Sequence, residues 1–249
     1  MTTEDAVVDV SQDWLLACSV QARFMRGPAR NHCRVDYSAS CRQLRALGGD
    51  CYDFSCQADG RLTMLVGDAS GKGVAAALMM ASVQASLRTA ALFTGGDLAA
   101  LLRIVNDQAC ASSLADRYAT LFYGVLEQAG RRLRYVNAGH NPPVVLHRDG
   151  SVDWLEPSGA PVGLFADANW EERVVPLQPG DRVLAYTDGV TEAPGPTGEE
   201  WGNAGLLQAA SHRETESADE LVRSILNSMD DYSRGVQTDD ATVAVLRVL

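Results

Sequence analysis

The spacing of apolar positions along the chain changes period several times, and each change predicts an element. Residues from about 12 to 26, "QDWLLACSVQARFMR", set Trp14, Leu15, Cys18 and Phe24 at loosely helical intervals and stop before a Gly-Pro pair. Two β-like runs follow, "CRVDYSAS" and "CYDFSC", and then the alternating "RLTMLVGD". Ala75 to Leu92 is nearly all apolar, which predicts a helix buried on most sides. A second helix runs from Asp97 to about Ser113, with Leu98, Leu101, Leu102 and Val105 on one face. A meander comes next, "YATLFYGVLE", "RLRYVNAG", "PPVVLHRDG" and "VDWLE", with turns at the short intervals of an antiparallel sheet. "ERVVPL" and "RVLAYTDG" form a further pair around "QPGD". Two more helices precede a closing strand, "ATVAVLRV"; the second opens on a capping box, Ser217 with Glu220, and carries Leu221, Ile225 and Met229 at i, i+4 and i+8. There is no internal repeat and no long biased linker. The expected class is α+β, a β-sandwich of two mostly antiparallel sheets flanked by helices.

The hairpin around "ADG" has a register that can be argued. A three-residue loop with Gly60 left-handed pairs residue 57 with 61, and so 50 with 68. Tyr52 and Phe54 then share a face with Leu62, Met64 and Val66, and a slip of one residue would separate them. Asp50 and Asp68 come to lie side by side. Two carboxylates that close repel unless one is protonated or a cation lies between them. Asp188, ending "RVLAY", and the pair Asp239 and Asp240, before the last strand, stand at strand ends of the same kind. "GDASGKG" has the look of a phosphate loop, but the P-loop spacing fails: Val66 stands where the first glycine belongs and Gly73 where Ser or Thr should follow the lysine.

Bulk properties narrow the class. With 46% hydrophobic and 21% charged residues the chain is globular. A formal charge of −11 disfavours nucleic acid and anionic membrane surfaces as partners. No apolar run nears the ~20 residues of a membrane span, and the acidic start is unlike a signal peptide, so the expected location is the cytoplasm. The six cysteines, with no C-x-x-C pair, are expected to be reduced thiols; His32 and Cys33 lack a second pair at zinc spacing.

The motifs "LGGDCYDF", "GDASGKGVAAALMM", "RYATLFYGVLE", "YVNAGHNPPVVL", "GAPVGL", "PGDRVLAYTDGVTEA" and "TDDATV" together resemble the type-2C metal-dependent serine/threonine protein phosphatases. The match is to the bacterial branch typified by the stage II sporulation E phosphatase and the stress-response sigma-factor regulators, from about Gln21 to the C-terminus. The resemblance implies a central sandwich with two Mn²⁺ or Mg²⁺ ions at one end. Asp50, Asp68, the Ala69 carbonyl, Asp188 and Asp239 would be the ligands, Asp68 would bridge, and Asp240 would stand outside the set. A metal-activated water would attack the phosphoester in line. Lys72 and His140 are candidate substrate contacts. Ser70 replaces a histidine that many eukaryotic relatives place two residues after the bridging aspartate, and His140 stands where they carry an aspartate for a third metal. The expected substrate is a phosphorylated STAS-domain anti-anti-sigma factor, and the alternative is an inactive partner-switching module with the same fold. Residues 1–26 are expected to be an N-terminal segment with a switch helix, docking a regulator or a second copy, and 27–249 the catalytic domain. No sensor precedes residue 12, so control is expected from a partner or a further region.

Overall fold

The computed structural model describes residues 10–25, 35–57, 60–112, 116–127, 131–211 and 216–249. Arg26, His32 and Cys33, which entered the sequence reading, lie outside them. Ten strands form two antiparallel sheets of five. The first sheet takes β1 (Val35–Arg42), β10 (Ala241–Val248), β9 (Arg182–Tyr186), β6 (Val144–Leu146) and β7 (Val152–Trp154) in that order. The second takes β2 (Cys51–Cys56), β3 (Leu62–Ala69), β4 (Ala119–Glu127), β5 (Arg132–Ala138) and β8 (Arg173–Pro176).

Alternation explains the layers. One face of each sheet meets the other through Phe54, Met64, Val66, Phe122, Val183, Ala244 and Leu246. The outer face of the second sheet packs Leu65, Leu121 and Tyr123 under α2 (Val74–Ala90) and α3 (Leu98–Ser112). The outer face of the first sheet packs Leu184, Tyr186 and Val243 under α5 (Gly202–Ala210) and α6 (Ala218–Ser233). The capping box at the start of α6 forms in both directions: Ser217 N–H donates to Glu220 Oε2 at 2.8 Å, and Glu220 N–H to Ser217 Oγ at 3.3 Å. An N-terminal helix, α1 (Val10–Phe24), rests on α2, where Gln84 Nε2 donates to the Phe24 carbonyl at 2.9 Å. No described helix is long and apolar enough to cross a membrane.

Four expectations are corrected. The meander is not one sheet: β4 and β5 stay in the second sheet, while β6 and β7 cross to the first. β8 and β9 likewise part, β8 to the edge of the second sheet and β9 to the centre of the first. Turn signals report where strands end but carry nothing about which sheet the next strand joins. α2 is buried on one face only, through Ala76, Ala77, Met80, Val83, Gln84, Leu87 and Ala90, and Leu78 is 68% exposed. Its outer face is apolar because it is built largely of small residues and one leucine, not because it is covered. Finally, Cys56 is disulfide-bonded, whereas Cys18, Cys41, Cys51 and Cys110 are free. The lack of a C-x-x-C pair says nothing about cysteines that folding brings together.

Candidate metal and phosphate site

The hairpin has the expected register. Cys51 pairs with Gly67 and Tyr52 with Val66, which carries Asp50 to the level of Asp68. Its turn closes through Gln57 N–H to the Arg61 carbonyl at 2.8 Å, with Gly60 at φ +83°. Asp50 is 1% exposed. Both hydroxyls that reach it come from the other sheet: Thr187 Oγ1 donates to Asp50 Oδ2 at 2.7 Å and Thr242 Oγ1 to the same oxygen at 2.6 Å. Thr187 Oγ1 in turn accepts the Thr242 N–H at 2.9 Å. Burial and the neighbouring Asp68 charge push the Asp50 carboxyl well above the usual carboxylate range, and the two hydroxyls oppose them.

Asp68 sits near the end of β3. Burial, then Asp188, Asp239 and Asp240, raise its carboxyl to about 7. Asp188 opens a one-turn helix, α4 (Asp188–Thr191), and is raised by burial and by Asp239. Asp68 therefore feels the charges of Asp188 and Asp239, and Asp50 that of Asp68, at one end of the sandwich. Among the described residues, no three His, Cys, Asp or Glu side chains are grouped tightly enough to hold a metal ion.

Glycines create the approach. A Cβ on Gly49 would stand 2.8 Å from the Ala69 carbonyl oxygen and 3.0 Å from Asp68 Oδ1, so these two oxygens converge over a residue with no side chain. A Cβ on Gly189 would stand 2.0 Å from the Asp240 carbonyl oxygen, which fixes the Asp188 turn against the 239–240 segment. Asp240 is committed elsewhere, accepting the Leu44 N–H at 2.7 Å and the Gly49 N–H at 2.9 Å. It holds the loop that delivers Asp50.

Lys72 and His140 are not equivalent. Lys72 Nζ lies 2.6 Å from Asp239 Oδ2 and 3.1 Å from the Thr238 carbonyl. His140 is buried behind the site. Its Nδ1 lies 2.9 Å from Thr120 Oγ1, opposite Asp68 in the β3–β4 pair, and burial lowers it to about 4. Its Nε2 is buried without a hydrogen bond of normal geometry, on the side of the Tyr186 carbonyl. Ser70 is spent on the fold, its Oγ accepting the Tyr118 N–H at 3.1 Å.

The sequence reading missed four supporting groups: Thr187, Thr242, Arg117, whose Nη1 donates to the Ser70 carbonyl at 2.7 Å, and Gln21 on α1. Gln21 Nε2 donates to the Gly48 carbonyl at 2.7 Å, beside the Gly49–Asp50 step. No local signal marks them, since their partners lie far away in the sequence.

The architecture has a solved counterpart in the SiaA-PP2C domain of Pseudomonas aeruginosa, which is 23% identical with a TM-score of 0.82, each chain covering 98% of the other. The fold is thus the sandwich of PP2C domains. Residues 58–249 match the profile described as Stage II sporulation protein E (SpoIIE), and the chain belongs to that family and carries its PP2C-like phosphatase domain. Protein IcfG of Synechocystis sp. is 30% identical over 237 residues, covering 82% of this chain and 36% of that protein. Phosphoserine phosphatase RsbU of Bacillus subtilis is 25% identical over 243 residues, 96% of this chain and 71% of that protein. The chain spans about a third of the length of IcfG.

Proposed function

We propose that this chain is a Mn²⁺- or Mg²⁺-dependent phosphatase that removes phosphate from serine or threonine of a phosphorylated STAS-domain regulatory protein. The observation that carries the reading is the approach of Asp50, Asp68, Asp188 and Asp239 at one end of the two sheets, with the carboxyls of Asp50, Asp68 and Asp188 each raised by burial and then by a neighbouring aspartate. Carboxyls raised in this way, with one lysine among the four, call for a cation. The donors fit hard divalent ions. All are oxygens, and the Ala69 carbonyl meets Asp68 Oδ1 over Gly49.

Bound there, two such ions would neutralise the carboxylates, lower the pKa of a water and clamp phosphoryl oxygens. The chain's own part is to hold oxygens in place. Thr187 and Thr242 both engage Oδ2 of Asp50, and none of these bonds uses Oδ1. Asp240 fixes the Gly49 backbone, and His140 fills the space behind Asp68 and Thr120 as a neutral imidazole. Neither Ser70 nor His140 is placed as a general acid, because one is a turn clamp and the other is buried.

The name of RsbU supports phosphoserine as the substrate group, and the sigma-regulator resemblance supports a STAS-domain carrier. We also assign regulation to α1, whose Trp14, Leu15, Leu16 and Val20 are exposed and whose Gln21 touches the Gly48 peptide. A second copy or a regulator seated on that apolar stripe would act on Asp50 through Gln21. The test is phosphate release from a phosphoserine-bearing STAS-domain protein with and without Mn²⁺. Release only with Mn²⁺ supports the reading. Tight binding of that protein with no release would support the inactive partner-switching module instead.

A further inference from the structure

Lys72 is the only lysine in the chain; its other permanent cationic side chains are arginines. It stands in the turn after Asp68 and Ala69, and its ammonium is on Asp239, 2.6 Å from Oδ2, with a second bond to the Thr238 carbonyl. No other ion pair among the described residues involves Asp50, Asp68, Asp188 or Asp239. The reach of this ammonium extends past its partner, since it also opposes the raised carboxyls of Asp188 and Glu192.

The type of cation matters. An arginine fork grips a carboxylate at two points and stays charged and planar, whereas lysine is a point charge on a flexible four-carbon stem. A monodentate, half-exposed ammonium is a cation that another cation can replace. The turn beneath it is held independently. Arg117 Nη1 donates to the Ser70 carbonyl, Ser70 N–H donates to the Tyr118 carbonyl at 2.8 Å, and Ser70 Oγ accepts the Tyr118 N–H. The ammonium can therefore leave Asp239 by rotation of its own side chain, with the backbone that carries Asp68 and Ala69 unmoved.

We propose that Lys72 is a built-in exchangeable cation: its ammonium neutralises Asp239 until a divalent ion arrives, and the ion enters by expelling it. Ion uptake at Asp239 and release of the Lys72 ammonium are then one event. The exchange lowers metal affinity by the strength of the ion pair and delivers a free positive charge to the rim of the site only when metal is present. This rests on the metal reading given above.

A single lysine makes the test clean. Protein labelled with [ε-¹⁵N]lysine has one side-chain Nζ resonance, to be followed during titration with diamagnetic Mg²⁺ while calorimetry records binding on the same sample. At saturation the resonance should move to the position it holds in metal-free Asp239→Asn. Lys72→Met should bind Mg²⁺ and Mn²⁺ about two- to fivefold more tightly, the scale of a half-exposed ion pair, with circular dichroism confirming the fold. Lys72→Arg should bind no more tightly than the parent. Binding heat with an unmoved Nζ resonance would overturn the exchange, as would unchanged or weaker affinity in Lys72→Met. No binding heat in the parent protein would instead remove the metal reading itself.

Discussion

Asp50 and Asp239 sit at opposite extremes of one site. Asp50 is buried, and its charge is stabilised by two hydroxyls, Thr242 on β10 and Thr187 just past β9. Asp239 is about a third exposed and is neutralised by a lysine on a flexible stem. The first arrangement cannot relax without parting the sheets, and the second relaxes with one side-chain rotation. On the proposed metal reading, a fixed floor and an adjustable rim let the site accept an ion without refolding.

Substitutions separate the two ends, beginning with the largest effect. Asp68→Asn and Asp188→Asn should each reduce kcat by ~10²–10³, the scale of a major electrostatic stabiliser, measured on p-nitrophenyl phosphate in saturating Mn²⁺. The metal-free Asp68→Asn protein should nevertheless be more stable than the parent at pH 8. The Asp68 carboxyl titrates near 7 in the fold and near 3.8 when unfolded, so its favourable contribution is present at low pH and disappears as pH rises through 7. The advantage of the Asn variant should therefore vanish by about pH 4, as urea melts at the two pH values will show. Metal affinity has the opposite slope. Protons compete for Asp68 below about 7, so Mn²⁺ affinity should fall there by up to about tenfold per pH unit.

His140 gives the next effect. Its imidazole is neutral in the fold down to about 4 and protonates near 6.5 when unfolded. Stability should be lost as pH falls between those values, by about 3 kcal/mol in all, and His140→Gln should flatten that limb of the urea-melt profile. Thr187→Val and Thr242→Val should each cost about 1–3 kcal/mol by leaving Asp50 short of a donor. Lys72→Met, at the exposed end, should change stability by less than ~1 kcal/mol. Equal losses at the two ends would erase the contrast. Asp240→Asn should destabilise the 44–49 loop more than Asp239→Asn does, because two backbone N–H groups depend on it.

Local signals made part of this legible. The "ADG" turn and the alternation of Tyr52, Phe54, Leu62, Met64 and Val66 determine the hairpin register, and with it the meeting of Asp50 and Asp68. Ser217 and Glu220 announce α6 because both bonds of the box fall within four residues. The crossing of β6 and β7 to the other sheet was not legible, since a turn carries no record of its destination. Nor were Thr187 and Thr242, which are 137 and 192 residues from the carboxylate they serve. Lys72 was visible as a candidate, but its partner Asp239 lies 167 residues away, and only folding shows which charge it meets.

The most direct measurement is hydrolysis of p-nitrophenyl phosphate by protein stripped with EDTA and then given Mn²⁺ in steps. The expected result is no turnover in chelator, recovery that saturates with Mn²⁺, and no recovery in Asp68→Asn. Full turnover in the stripped protein, or the same recovery in Asp68→Asn, would contradict a carboxylate-held metal as the source of the activity.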